Sequence, residues 1–195
     1  MAGIGLYGVY YSKGTLVDGV LQSYTGAQQM GKAISASFEP ADAGGNPLYA
    51  NNGIAEKDLA ASSGGTLELT LDRVSSAAQA DLFGLNLTTE EGGQGFNFTG
   101  EEVANPVGVA FVRWRQEDNV RTYHEAVIYS YVTFDYPSEE YQTMEDSVDW
   151  QTPTLSGTVS GGAMTGTYPW AKKFTFATQA DAIAFITSYF AAPTT

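Results

Sequence analysis

Between Thr66 and Asp72 the chain alternates without a break: Thr66-Leu67-Glu68-Leu69-Thr70-Leu71-Asp72. Successive side chains on a strand point to opposite faces, so three leucines fall on one side, and Glu68 and Asp72 with two threonines fall on the other. The segment is therefore expected to be a half-buried strand, and a strand needs a sheet. A second alternating stretch runs from Arg121 to Tyr136. There the even positions Ala126, Ile128, Val132 and Phe134 form an apolar row, with Glu125, Tyr129, Tyr131, Thr133 and Asp135 opposite. One face is expected to meet a core and the other to meet water or another subunit.

Val107 to Trp114 is apolar on both faces, as a central strand requires, and Glu117-Asp118-Asn119 supplies a polar turn, so a hairpin with the Arg121–Tyr136 strand is expected. In Ser147 to Val159 the apolar row starts on even positions, Val148 and Trp150, and resumes on odd ones, Leu155 and Val159. A bulge or bend near Thr152-Pro153 is expected to absorb that change of phase. Leu6–Ser12 and Lys32–Phe38 complete the strands. Two short helices interrupt them. One has capping-box spacing at Ser76 to Gln79, with Gly84 as its left-handed terminator; the other starts with Thr178 and Asp181 and carries Ala182, Ile183, Phe185, Ile186, Tyr189 and Phe190 as a broad apolar flank.

Glu39 to Gly65 shows no sustained period and is rich in Gly, Pro and Asn, yet it carries Leu48, Tyr49, Ile54 and Leu59. Connections longer than about 12 to 15 residues in a compact domain are uncommon unless functional or disordered. Two readings stand open: an arm ordered by a partner, or an ordinary loop holding one or two short strands.

Charge narrows the partners. Twenty-two acidic residues against 9 basic ones leave a formal charge of -13, which repels polyanions and anionic membrane surfaces rather than gripping them. A hydrophobic fraction of 43%, including 12 Tyr, 10 Phe and 3 Trp, suffices for a packed core in 195 residues. The chain has no cysteine, so disulfides, thiol chemistry and thiolate-held metals are excluded. Residues 1–11 hold no basic region followed by an apolar run, and no stretch approaches the roughly 18 apolar residues of a membrane span, so neither an export signal nor a membrane anchor is expected.

Catalytic signals are weak throughout. Gly26-Ala27-Gln28-Gln29-Met30-Gly31-Lys32-Ala33 nearly matches a phosphate loop, but Ala33 stands where a magnesium-binding hydroxyl belongs, and the residues after it alternate like a strand. The sole histidine, His124, cannot build an imidazole-rich zinc site and has no G-x-S-x-G serine to activate. Glu139, Glu140, Glu145, Asp146 and Asp149 lie among Tyr136, Tyr141 and Trp150, but no pair stands out as acid and nucleophile, and calcium-loop spacing is absent. Asn86-Leu87-Thr88 and Asn97-Phe98-Thr99 match the glycosylation pattern by chance where no export signal is expected. No catalytic residue, cofactor or metal is expected, and a non-catalytic carbohydrate-binding β-sandwich is the rival reading of the same aromatics.

Three segments carry a resemblance. Leu48-Tyr49-Ala50-Asn51-Asn52-Gly53-Ile54-Ala55-Glu56, then Gly65-Thr66-Leu67-Glu68-Leu69, then Pro137-Ser138-Glu139-Glu140-Tyr141-Gln142-Thr143 running on to Gln151-Thr152-Pro153-Thr154-Leu155-Ser156-Gly157 resemble, in that order, the major tail proteins of long-tailed bacteriophages. The likeness extends from about Ile4 to Val159; that family usually carries Asp-Asp-Gly where this chain has Asn51-Asn52-Gly53, and the likeness weakens beyond Gly161. It implies a mainly β fold, a tail-tube-type β-sandwich with a short flanking helix, a long inter-strand arm and a C-terminal helix. Residues 1–160 would form the sandwich, including an assembly arm at 39–65, and residues 161–195 a C-terminal extension packed on the same domain.

The resemblance also implies a structural role: six copies in a ring, rings stacked into a tube, other tail proteins as partners, and genomic DNA passing through the lumen without specific binding. The protein would be assembled in the host cytoplasm and reside in the virion. Leu48, Tyr49, Asn51, Asn52, Ile54 and Glu56 are the expected inter-ring arm residues, and Glu68 and Asp72 the expected lumen-facing ones. Two physical points agree with this. Closing a ring removes exposed strand edges while stacking by a heterologous contact gives an open filament, and a polar, net-negative wall would let a polyanion slide without the strong contacts that basic residues make.

Overall fold

The computed structural model, which describes residues 2–41, 47–50, 53–57, 64–117, 121–139, 143, 152–161 and 168–191, is built mainly of strands with two short helices. In chain order the elements are β1 (Ala2–Val17), β2 (Val20–Tyr24), β3 (Gln28–Gly31), β4 (Ala33–Pro40), β5 (Pro47–Ala50), β6 (Gly53–Lys57), β7 (Gly64–Leu71), α1 (Ser76–Phe83), β8 (Leu87–Glu90), β9 (Gly93–Phe96), β10 (Val107–Glu117), β11 (Arg121–Phe134), β12 (Thr154–Ser160), β13 (Ala171–Phe176) and α2 (Gln179–Tyr189). Nine strands form one sheet in the order β2-β1-β10-β11-β12-β7-β4, with β3 paired to β1 and β13 paired to β11. The remaining four form two separate hairpins, β5-β6 and β8-β9.

The long strand β11 organises this sheet. One edge pairs with β10 from Arg121 to Val132, and the other is shared: β13 runs beside His124–Tyr129 and β12 beside Val132–Phe134. The change of neighbour coincides with a slip in register, because Val107 faces Val132 whereas Val109 faces Tyr129. Ser130 and Tyr131 thus oppose the single residue Gly108, the arrangement of a β-bulge. Ser130 is buried there, and its hydroxyl donates to the Pro169 carbonyl (2.6 Å) while its backbone N–H donates to the Trp170 carbonyl (3.1 Å).

The bulge corrects the simple alternation expected for β11. Ala126 and Ile128 face one core and Val132 and Phe134 another, so the even positions do not make a single row. Nor is the odd face wet before the bulge: Tyr129 stacks on Phe38 with ring centroids 4.8 Å apart, and Glu125 is held by two arginines. An extra residue shifts side-chain parity by one, which reverses the faces beyond it.

Two cores result, one on each side of β10. The first gathers Val9 and Tyr11 of β1, Val107, Val109 and Phe111 of β10, the three leucines of β7, Leu155 and Val159 of β12, and Ala78, Leu82 and Phe83 of α1. Leu67, Leu69 and Leu71 are completely buried, as their strict alternation predicts. The second core lies between Ala110, Val112, Ala126 and Ile128 and the helix residues Ala182, Ile186 and Phe190. The unbroken apolar run of β10 is thereby explained, since the strand is covered on both faces.

Helix ends follow their capping chemistry with one correction. Ser75, not Ser76, caps α1: its extended backbone (φ -64, ψ 150) lets its hydroxyl accept from Ala78 N–H, and Gly84 closes the helix at φ 67. Thr178 caps α2 as expected, accepting from Asp181 N–H while its own hydroxyl donates to the Asp181 carboxylate (2.6 Å). Gly26 to Ala33 contains β3 and the start of β4, so no helix N-terminus follows Gly31 to cradle a phosphate. The phase change expected near Thr152-Pro153 is visible only in part. Strand β12 begins just after Pro153, whose carbonyl accepts from Leu71 N–H (3.1 Å), while Val148 and Trp150 lie outside the described residues.

Candidate functional site

The outward side chains of β4, β7 and β12 form a face of unusual uniformity. Across the registered strands Ser35, Ser37 and Glu39 line up with Thr70, Glu68 and Thr66, which in turn line up with Thr154, Ser156 and Thr158. Every one of these positions bears a hydroxyl or a carboxylate, none is basic, and none is large and apolar. Glu68 lies at the centre, exposed between Ser37 and Ser156, and the hydroxyls of Thr70 and Thr154 are hydrogen-bonded across the strands (3.1 Å). Period-two folding sets this up, since burying the leucines of β7 forces Glu68 and its threonines outward.

Asp72 shares Glu68's parity but has different chemistry. Its carboxylate Oδ1 accepts the backbone N–H groups of Lys32 (2.7 Å) and Arg73 (2.8 Å). The hydrogen bond from Lys32 holds its pKa below the usual carboxylate range. Together with the Asp72 N–H to Lys32 carbonyl bond (3.0 Å), this fastens the end of β7 to the approach to β4. Asp72 is thus a structural clamp as well as a surface charge.

The segment expected to be an arm contains the β5-β6 hairpin, which among the described residues pairs with no strand of the main sheet. Its backbone register sets Leu48 opposite Glu56 and Tyr49 opposite Ile54. Asn51 and Asn52 lie outside the described residues. Of the carboxylate and aromatic cluster, Tyr136 donates to Glu139 (3.0 Å) and packs on Phe83 and Phe98, whereas Glu140, Tyr141, Glu145, Asp146, Asp149 and Trp150 lie outside the described residues. His124 is half-buried edge-on to Trp114, with ring centroids 5.7 Å apart. Among the described residues no three metal-ligating side chains converge, and no helix is long and apolar enough to cross a membrane.

A strongly held carboxylate sits in the loop after β9. Glu102 accepts from Thr99 N–H, from the Thr99 hydroxyl (2.9 Å) and from Gly100 N–H (2.9 Å), and these bonds, the Thr99 N–H foremost, pull its pKa down to about 2. A depressed acid contributes stability that is fully present above its ordinary pKa and is lost as pH falls through the folded value. The loop is therefore expected to stay fastened until pH approaches about 2. Side-chain NMR titration of Glu102 checks this; a midpoint near the ordinary 4.5 would contradict it.

One feature went undetected in the sequence because it depends on strand register. On the inner face of the β10-β11 ladder, Arg113 faces Glu125, and Arg115 lies diagonally from it. The Glu125 carboxylate receives Arg113 through Oε2 and Arg115 through Oε1 (2.8 Å), and it is almost fully buried. Arg113 then opens into a groove of about 610 Å3 between this ladder and β4, with Phe38, Phe111, Tyr129, Ile34 and Lys173 on its walls. Burial pushes the Tyr129 hydroxyl up to about 12, so it stays protonated there. The signal was present in the alternation of Arg113 and Arg115 against Glu125, but only a fixed hairpin register turns it into a cluster.

The chain matches no protein-family model and no curated protein sequence.

Proposed function

We propose that the chain is the structural subunit of a phage tail tube, a β-sandwich of tail-tube type that assembles into stacked hexameric rings forming a conduit for the genome. The observation that carries this reading is the ordered succession of tail-protein-like segments, joined to an outer sheet face made only of hydroxyls and carboxylates. A conduit for DNA must not retain it. Basic side chains would gain affinity by releasing counterions from the phosphates, whereas carboxylates spaced among hydroxyls offer water-like contacts and repel the polyanion. We assign that face, with Glu68 at its centre, to the lumen. Strand β4 ends the sheet beside it, and its outer edge, unpaired among the described residues, is available to a neighbour in the ring. The arm around Leu48, Tyr49, Ile54 and Glu56 reaches the adjoining ring, and the subunit passes from the host cytoplasm into the virion.

The test uses Glu68 with Ser156, not Asp72, because replacing the Asp72 clamp would disturb the fold. In E68K/S156K particles DNA ejection is expected to slow at low salt and to recover as salt screens the new attraction. Ejection kinetics unchanged in intact particles of this variant would overturn the lumen assignment.

A further inference from the structure

We infer that the Arg113–Lys173 groove receives the acidic tip of the β8-β9 hairpin of a second copy of this chain. The inference deepens the tube reading by naming a contact between copies, and it rests on that reading. In a chain of net charge -13 the groove is a local exception: two guanidinium groups share the single Glu125 carboxylate, and among the described residues no second carboxylate pairs with them. Lys173 adds another on the wall, exposed and without an ion-pair partner among the described residues. Phe38, Phe111 and Ile34 line the same opening, and one wall is β4, whose outer edge pairs with no strand among the described residues. A positively charged, partly apolar cleft beside a free strand edge suits an acidic extended segment.

The same molecule carries such a segment elsewhere. Among the described residues strands β8 and β9 pair only with each other, and Glu90-Glu91-Gly92-Gly93 at their tip is exposed throughout. Glu91 and Gly92 both have positive φ, 49 and 84, the backbone of a tight two-residue hairpin turn. Glu90 accepts from the Asn97 side chain (3.0 Å), whereas Glu91 has no ion pair or side-chain hydrogen bond among the described residues. The hairpin leaves the C-terminal end of α1, which Asn105 ties to the start of β10 through bonds to the Asp81 and Leu82 carbonyls (2.8 and 3.0 Å). Arg113 lies six residues further along β10, about 20 Å away at strand rise. The base of the hairpin and the groove therefore sit toward opposite ends of β10. Contact between two different patches on successive copies is heterologous and propagates, which a ring or a tube requires.

Charge exchange tests the contact. E91K and K173E are each expected to cut the assembled fraction about tenfold, and E91K/K173E to restore it, because the pair is re-formed with its signs reversed. Circular dichroism of each variant shows whether the strands persist. The chain has no cysteine, so E91C/K173C adds a readout independent of tube growth. Mild oxidation of the concentrated protein should give a ladder of covalent oligomers, while either single cysteine variant stops at dimers. Tubes from E91C/K173C without a ladder, or tubes unaffected by E91K and K173E, would overturn the contact and leave the tube reading intact. A ladder from protein that makes no tubes would uphold the contact and count against the tube reading. Neither ladder nor tubes would overturn both.

Discussion

Alanine in place of Phe190 is expected to lower folding stability by about 3 to 5 kcal/mol, the range for deleting a buried aromatic ring whose cavity cannot collapse. Phe190 is completely buried at the end of α2, with its ring 4.8 Å from that of Tyr24 at an interplanar angle of 75°. Collapse is prevented on three sides. Gly108 of β10 leaves room for this ring and that of Tyr24, and Tyr24 is pinned by its hydroxyl, which donates to the Ser130 carbonyl (2.7 Å). Tyr189 is held by the Ser130 hydroxyl (2.7 Å) and by Lys172 over its ring. Urea unfolding of the unassembled protein measures the loss. A change under about 1 kcal/mol would mean that α2 contributes little to the second core, as for an appendage that serves a neighbour.

The second large effect concerns assembly. Replacing residues 43–61 by a short Gly/Ser link is expected to abolish tube growth while leaving the sheet intact. Among the described residues the segment contributes β5 and β6, which pair only with each other, so its removal breaks no described ladder of the nine-stranded sheet. A Gly/Ser link of adequate reach costs little in loop closure, and the fold of the subunit should not notice it. Circular dichroism should keep its strand signal while microscopy shows no filaments; normal tubes would remove the arm from the assembly mechanism. Tyr49→Ser with Ile54→Ser is the milder version. It should weaken assembly if each side chain buries apolar area on a neighbouring copy, worth about 1 to 3 kcal/mol apiece.

How far the sequence could be read depended on whether a feature was local. The leucine row of β7 needs only its own alternation, and all three leucines are buried as that alternation demands. The two-sided burial of β10 and the capping of α2 by Thr178 were likewise written in adjacent residues. The α1 cap was missed by one position because Ser75 and Ser76 both offer a hydroxyl, and only backbone geometry separates them. In β11 the even apolar row was legible, but its division between two cores depends on the bulge at Ser130-Tyr131 opposite Gly108. Nothing in β11 alone announces that slip, which arises from pairing with β10. The hydroxyl and carboxylate face shows the same limit: Glu68 could be placed on an outer face, but its alignment with Ser37 and Ser156 needed the partners of β7. The Arg113, Arg115 and Glu125 cluster was hidden for the same reason, and Asp72 looked equivalent to Glu68 until its two backbone donors were seen.

Negative-stain electron microscopy of the concentrated, purified full chain tests the central claim most directly. A tail-tube subunit should form regular tubes or stacked rings with sixfold end views, and it should show no saturable glycan binding. Dispersed monomers at every concentration, joined by saturable binding to a glycan, would contradict the tube reading and favour a carbohydrate-binding module.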